Sequence, residues 1–357
     1  MRTIWLNSFA LLAVLTSATL VIVRNFDSDK SLALLNVSYD PTRELYLDIN
    51  DQFVADYAKQ TGHRLAIKQS HGGSSRQARA VVDGLDADVV TLALPSDVES
   101  LHKHGLVADG WADRLPNHSV PYTSTIVFVV RKGNPRAIHD WPDLVQPGVG
   151  IVTPNPKTSG NGKLSVLAAW GSVIYHGGSE SQAAALVKQI LSHVVMLGEG
   201  ARNATNSFAH DDVGDVHLTW ENEALLERAD SDGKLEIVYP PVSILAQPTV
   251  AWVDANVSRH GSEEHARAYL QFLFTDEAQE IIARHGYRPT NAQVLARHRD
   301  QLPAIHLFPI TLLGRDWDDV QQRFFADNGI YDVAIHAPGV VGTTAPAVSS
   351  SGKSNGI

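Results

Sequence analysis

The sequence predicts an α/β chain of two lobes, each built on a doubly wound open sheet, with a ligand cleft between them. Short apolar runs of strand length alternate with segments of helical periodicity along most of the chain, the pattern of parallel sheets covered by crossover helices. Polar, glycine-containing turns recur where strand runs feed helices, which is where ligands bind in open α/β sheets. The alternation lapses between Trp111 and Tyr122 and then resumes as a second block, as a chain does when it crosses from one sheet to another. The length of 357 residues suits about two domains.

Residues 32–39 form the first strand run, ending at Asp40-Pro41, and an apolar helical face follows with Leu45, Ile49, Phe53 and Tyr57. The aspartate suits the N-cap, and the proline, which has no N–H to lose, the first helical position. A second strand, 65–69, runs into Ser70-His71-Gly72-Gly73-Ser74 and a helix; a third, 87–94, is nearly continuous in apolar residues. This order implies parallel pairing with right-handed crossovers. After the lapse come strands at 125–131, 150–153, 194–197, 215–219, 235–239 and 249–254, and then helices at 263–274 and 276–285 with no new sheet. Those helices are expected to pack back on the first lobe. The expected lobes are therefore 31–122 plus 255–335, and 123–254.

The two ends read differently. Arg2 precedes an apolar run over residues 4–23, the layout of a secretory signal. Thr16-Ser17-Ala18 offers small residues for cleavage, whereas the continuation to Val23 is also long enough for an uncleaved anchor. Residues 1–30 are read as a signal peptide or signal anchor, which puts the folded part outside the cytoplasm. Residues 336–357 are rich in Pro, Gly, Ser, Thr and Val without apolar periodicity and are expected to be a disordered tail.

Composition narrows the chemistry. A net charge of −10 argues against nucleic acid, whose phosphates recruit basic surfaces. It does not argue against a small anion, because a site of backbone N–H dipoles needs no net positive charge. The chain has no cysteine, which excludes disulfides, thiolate catalysis, Cys-type zinc sites and a lipidated-cysteine anchor.

Four strand-to-helix segments stand out: Val37-Ser38-Tyr39-Asp40-Pro41, Ser70-His71-Gly72-Gly73-Ser74-Ser75, Lys157-Thr158-Ser159-Gly160-Asn161-Gly162 and Gly198-Glu199-Gly200-Ala201-Arg202-Asn203-Ala204-Thr205. Each can present unpaired N–H groups and the positive end of a helix dipole. Any one of them by itself reads first as an ordinary capped βα turn, because such turns are common. Two in each expected lobe point to an anion held between the lobes.

The same residues carry a resemblance. Leu35-Asn36-Val37-Ser38-Tyr39-Asp40-Pro41-Thr42-Arg43-Glu44, Gln69-Ser70-His71-Gly72-Gly73-Ser74, Thr153-Pro154-Asn155-Pro156-Lys157-Thr158-Ser159-Gly160 and Trp220-Glu221-Asn222-Glu223-Ala224 resemble the sulfate-binding proteins of bacterial sulfate/thiosulfate uptake systems, and the likeness extends over about 34–291. It implies a type II periplasmic-binding-protein-like fold, no enzymatic activity and no cofactor. It further implies a monomer in the periplasm that delivers sulfate, or thiosulfate, to an ABC permease and ATPase complex in the inner membrane. The implied ligand shell is the backbone N–H of Asp40, the Ser74 hydroxyl, Ser159 with the N–H groups of Gly160 and Asn161, the Ala201 N–H and the Trp220 indole N–H. Arg202 and His71 take supporting places. Asn161 departs from the family's glycine, a change that keeps the backbone donor. Physics agrees with such a shell. Sulfate offers acceptors only, whereas hydrogen phosphate keeps a proton that would face donors alone, a loss of about 1–3 kcal/mol when buried.

Rival readings fail on spacing. Gly162-Lys163 would need Ser or Thr at Leu164 and glycine at Lys157 to close a Walker A loop. No G-x-S-x-G elbow accompanies His71-Gly72-Gly73, so an esterase reading lacks its nucleophile. The 16 histidines include no zinc spacing, and Glu221 and Glu223, two apart, do not share a helix face as an acid/base pair would. An exported enzyme on the same scaffold remains the alternative from a different class, since fold alone does not fix function.

Overall fold

The structure, a computed structural model, describes residues 32–337; the expected signal or anchor and nearly all of the expected tail lie outside them. In the first lobe, β1 (Leu32–Tyr39), β2 (Leu65–Gly72) and β3 (Val89–Leu92) are parallel, with β1 between the other two. Three helices follow those strands: α1 (Arg43–Thr61), α2 (Ser74–Val82) and α3 (Pro95–Lys103). Helix α1 buries Leu45, Ile49, Phe53 and Tyr57, the i, i+4 stripe of a surface helix, and stops at Gly62, whose φ of 76° is the left-handed C-cap glycine accepts most readily. The buried polar residues of β1 are satisfied internally: the Thr91 hydroxyl bonds Asn36 and Ser38, and the Asn36 amide donates to the Tyr269 hydroxyl.

The second lobe contains β4 (Ile126–Arg131), β5 (Ile151–Pro154), β6 (Val194–Gly198), β7 (Val216–Trp220) and β8 (Leu235–Val238) in the order β6-β5-β7-β4-β8. Strands β5, β6 and β7 run parallel; β4 is antiparallel to both β7 and β8. The helices are α4 (Gly160–Tyr175), α5 (Glu180–Ser192), α6 (Ala201–Ala209) and α7 (Glu221–Asp230). Helix α4 is buried from Gly160 through Ser172, the all-round burial of a central helix.

Two expected boundaries are corrected. Strand β9 (Thr249–Trp252), expected in the second lobe, pairs antiparallel with β3 and closes the first sheet. An apolar run reads the same in either sheet, and only the free edge of β3 decides where it docks. Helices α8 (Asp254–His260), α9 (Glu263–Phe272) and α10 (Asp276–Arg284) follow, and α9 packs on the first lobe, its Tyr269 hydroxyl donating to Asn50 at 2.6 Å. The chain then crosses once more. His306–Phe308 pairs with Val242–Ile244, the Phe308 ring fills the notch at Gly171, Phe324 stacks edge-on against Trp170 at 5.1 Å, and Ile330–Ile335 lies on α5. Residues 306–335 thus lie mainly over α4 and α5 of the second lobe, with Asp318 also reaching Lys103 of α3 in the first. Among the described residues no helix is long and apolar enough to cross a membrane.

Register aligns the turns that matter. Tyr39 lies opposite Gly72, so the turns after β1 and β2 leave the sheet side by side. Pro154 lies opposite Gly198, which does the same for those after β5 and β6. The connecting strands are short: Tyr122–Thr123 pairs with Arg288–Pro289, and Ser124 bridges Ala246.

Candidate anion site between the lobes

Four helical N-termini meet across the cleft, two from each lobe. Asp40–Thr42 is a 3-10 turn leading into α1, while α2 starts after Gly73, α4 after Ser159 and α6 after Gly200. Side chains close the helices that begin after Ser179, Thr275 and Asn291. None closes these four, not even Ser159, which elsewhere would be a favoured cap; α3, α7, α8 and α9 also start without one, so what sets these four apart is that they meet. Their first N–H groups, which no intrahelical carbonyl can reach, therefore point into the space between the lobes together with the positive ends of the dipoles.

The approach is close. A Cβ on Gly73 would run into the Thr158 carbonyl oxygen and lie 3.2 Å from that of Glu199, while one on Gly160 would lie 2.5 Å from the Ala93 Cβ and 3.5 Å from that of Ser74. At Gly200 it would meet the Asp40 carboxylate and come within 3.6 Å of the Gly73 nitrogen. Trp220, fully buried at the end of β7, stacks on Tyr39 with 5.4 Å between ring centroids. Asp40, Ser74, Ser159, Gly160, Asn161, Ala201 and Trp220 are thus brought into one neighbourhood, all buried.

Two side chains behave differently from expectation. Asp40 does not cap; Tyr39 is the N-cap, and the Asp40 carboxylate pairs with Arg43 at 2.9 Å, an i, i+3 reach that the proline-started turn makes available. The Ser74 hydroxyl, expected to face the ligand, instead donates to Asp97 at 2.5 Å and accepts from the Ala93 N–H at 2.9 Å. It has one proton, and Asp97 holds it. Ser74 keeps its backbone N–H for the cleft. The Asn161 side chain turns down its helix, its oxygen accepting from Ser165 at 3.3 Å, while its buried amide nitrogen has no protein partner. His71 sits behind the first turn, one ring nitrogen 3.4 Å from the Tyr39 carbonyl oxygen and the other on Gln69; burial lowers its pKa, which keeps the ring neutral.

Every nearby cation has a carboxylate of its own. Arg43 pairs with Asp40, Arg76 with Glu199 at 3.0 Å, and buried Lys163 lies 3.8 Å from Asp97. Arg202 forks between Glu44 of the first lobe, at 3.0 and 2.9 Å, and Glu223 of the second, at 3.2 and 3.0 Å. Burial alone would lower the Arg202 pKa, but the two carboxylates outweigh it and raise it. Arg202 therefore joins the lobes as well as backing the Ala201 turn. None of these cations is left unpaired, so backbone dipoles at the helix starts are what the two lobes offer an anion there.

Sequence reasoning missed Asp97, Lys163, Glu44 and Arg76. Asp97 and Glu44 sit in the first turns of α3 and α1, where acidic residues need no other explanation than the dipole. Their interlobe partners are 66 and 158 residues away in the chain.

Comparison with known proteins points the same way. Residues 47–288 match the family described as "Bacterial extracellular solute-binding protein". The chain is 48% identical over 305 residues to the sulfate-binding protein of Escherichia coli (strain K12), covering 85% of this chain and 93% of that one. It is 46% identical over 307 residues to the thiosulfate-binding protein of Pseudomonas aeruginosa, covering 85% and 92%. Among solved structures, the sulfate-binding protein SubI from Mycobacterium tuberculosis H37Rv superposes with a TM-score of 0.75 at 29% identity, covering 82% of this chain and 99% of that one.

Proposed function

The chain belongs to the family of bacterial extracellular solute-binding proteins, and we propose that it is a periplasmic receptor that closes two lobes around one sulfate dianion and delivers it to an ABC importer. The observation that carries this reading is the meeting of four N-termini from both lobes with no side chain capping any of them. The groups lining it are donors, and the two carboxylates beside it are held: Asp97 by Ser74, Ser75 and Lys163, and Asp40 through one oxygen by Arg43, its other oxygen lying against Gly200. It therefore suits an anion with no proton, and penalises hydrogen phosphate by leaving its O–H unpaired. Backbone N–H groups of Asp40, Ser74, Gly160, Asn161 and Ala201, the Ser159 hydroxyl and the Trp220 indole N–H make the shell. Neither lobe alone completes it, so the ligand stabilises the closed arrangement. A shell of this kind performs no bond-making step; the role is that of a receptor, not an enzyme.

Thiosulfate shares the acceptor-only chemistry, and the similar identity to a thiosulfate-binding relative makes it the competing ligand. Titration calorimetry with sulfate, thiosulfate and phosphate tests the assignment. Sulfate is expected to bind with phosphate far weaker, and Ser159→Ala and Trp220→Phe are each expected to weaken sulfate by about 1.5–3 kcal/mol, one hydrogen bond to an ion. Tighter phosphate binding, or sulfate affinity indifferent to both substitutions, would remove the reading. No donor in the shell titrates between about pH 5 and 8, so pH dependence enters only from groups outside it.

A further inference from the structure

Behind the Ala201 turn lies a chain of buried ionisable groups that the donor shell does not use. Arg202 bonds Glu223; the Thr205 hydroxyl lies 3.1 Å from Glu223 and 3.0 Å from Glu227; His217 Nδ1 lies 2.9 Å from Glu227. Glu223, Glu227 and His217 are at most 3% exposed. Thr205 has one proton and can satisfy one carboxylate. The other faces it lone pair to lone pair unless it carries a proton itself. His217 Nε2 is buried without a partner, so an imidazolium would strand an N–H, and a neutral ring donating from Nδ1 to Glu227 is the consistent form. With all carboxylates ionised, Glu223 would have Arg202 as its one bonded cation, shared with Glu44, while Glu227 would have only the more distant Arg131.

We propose that Glu223 and Glu227 share one proton inside the second lobe and that Glu223, acting through Arg202, is a positioning residue whose protonation is linked to lobe closure. The inference rests on the receptor reading above for its closing motion, and its own ground is the geometry of the carboxylate pair. Closure brings the Glu44 carboxylate of α1 onto Arg202, which dilutes the compensation Arg202 gives Glu223 and excludes water. Both effects favour the protonated carboxyl. Burial pushes Glu223 up to about 7, reinforced by Glu227 and opposed by Arg202.

Other groups around the pair are accounted for. Arg43, beside Glu44, is held by Asp40. On the α10 side, Arg284 and His285 line a cavity with Glu44 and Glu223; His285 bonds Asp48 at 2.8 Å, and the Tyr287 hydroxyl donates to the Pro41 carbonyl oxygen. On the Glu227 side, a cavity of about 350 Å³ is also lined by Arg131, Lys234, His210 and the aspartates Asp212, Asp230 and Asp232; Arg131 stacks on Phe208 and bonds the Val213 and Gly214 carbonyl oxygens.

The sign follows. The closed form's carboxyl titrates higher than the open form's, so closure gains fully below the open-form value and that gain is lost as pH rises through about 7. Sulfate binding measured near pH 7 in buffers of different ionisation enthalpy is expected to take up roughly 0.3–0.7 proton per sulfate. The uptake should collapse in Glu223→Gln and shrink in Glu227→Gln. No uptake in the unsubstituted protein, or undiminished uptake in Glu223→Gln, overturns the proposal. A ligand-free measurement separates this from failure of the sulfate assignment: with ¹³C-labelled glutamate, a carboxyl titrating well above the ordinary glutamate range is expected in the full chain and absent in Glu223→Gln. If every glutamate titrates in the ordinary range, the shared proton does not exist.

Discussion

Gly73→Ala should separate closure from folding. The backbone at Gly73, φ −57° and ψ 133°, is one any residue adopts, and the groups its Cβ would strike, the Thr158 and Glu199 carbonyls, belong entirely to the other lobe. The first lobe can therefore fold unaltered while the lobes are held apart. A Cβ needs about 3.4 Å from such an oxygen to sit in ordinary contact, so the two lobes must part locally by about an ångström, enough to take hydrogen bonds near 2.9 Å out of range. The Thr158 carbonyl precedes the Ser159–Gly160 donors directly, and the Glu199 carbonyl is two residues from Ala201. Losing two bonds to a charged ligand, at about 1.5–3 kcal/mol each, weakens binding by about 3–6 kcal/mol, or roughly 10²–10⁴-fold. The assay is sulfate calorimetry beside thermal melting without ligand. The melting temperature should hold within about two degrees, because the loss falls on the closed state alone. Sulfate affinity within threefold of the unsubstituted protein would show that the lobes do not need this approach to bind.

Other expectations concern stability. Arg288 forks onto Glu221 with two bonds of 2.7 Å at the connection between the lobes, and Glu221, fully buried, has its pKa raised by that burial. Arg288→Met should cost about 3–5 kcal/mol in urea unfolding by stranding the carboxylate, and adding Glu221→Gln should recover much of it; equal instability of the single and double variants would refute the pairing argument. His260 bonds Asp88 at 2.8 Å and Asp86 at 3.0 Å, and those carboxylates raise its pKa against a small desolvation. Its contribution is fully present below the unfolded histidine value and is lost as pH rises through the raised one. The pH slope of the unfolding midpoint on the alkaline side of pH 6.5 should therefore flatten in His260→Asn; an unchanged slope would discard the assignment.

How legible was the chain? The turn after β1 is legible in Asp40-Pro41, the second in His71-Gly72-Gly73-Ser74, and the start of α4 in Thr158-Ser159-Gly160, all because turn chemistry is local. The strand at Thr249–Trp252 was read as a strand but given to the wrong sheet. The Ser74 hydroxyl was assigned to the ligand because Asp97, 23 residues on, gives no sign in the sequence that it takes that proton.

What the sequence determined by itself is therefore what neighbours within a few residues carry: alternation of strands and helices, and polar, glycine-containing turns where strands feed helices. Tertiary structure alone decided which sheet a strand completes, which carboxylate receives a hydroxyl, and that Arg202 reaches Glu44 across the cleft. Those outcomes depend on the meeting of groups far apart in the chain, where burial and charge, and not local conformational preference, set the partner.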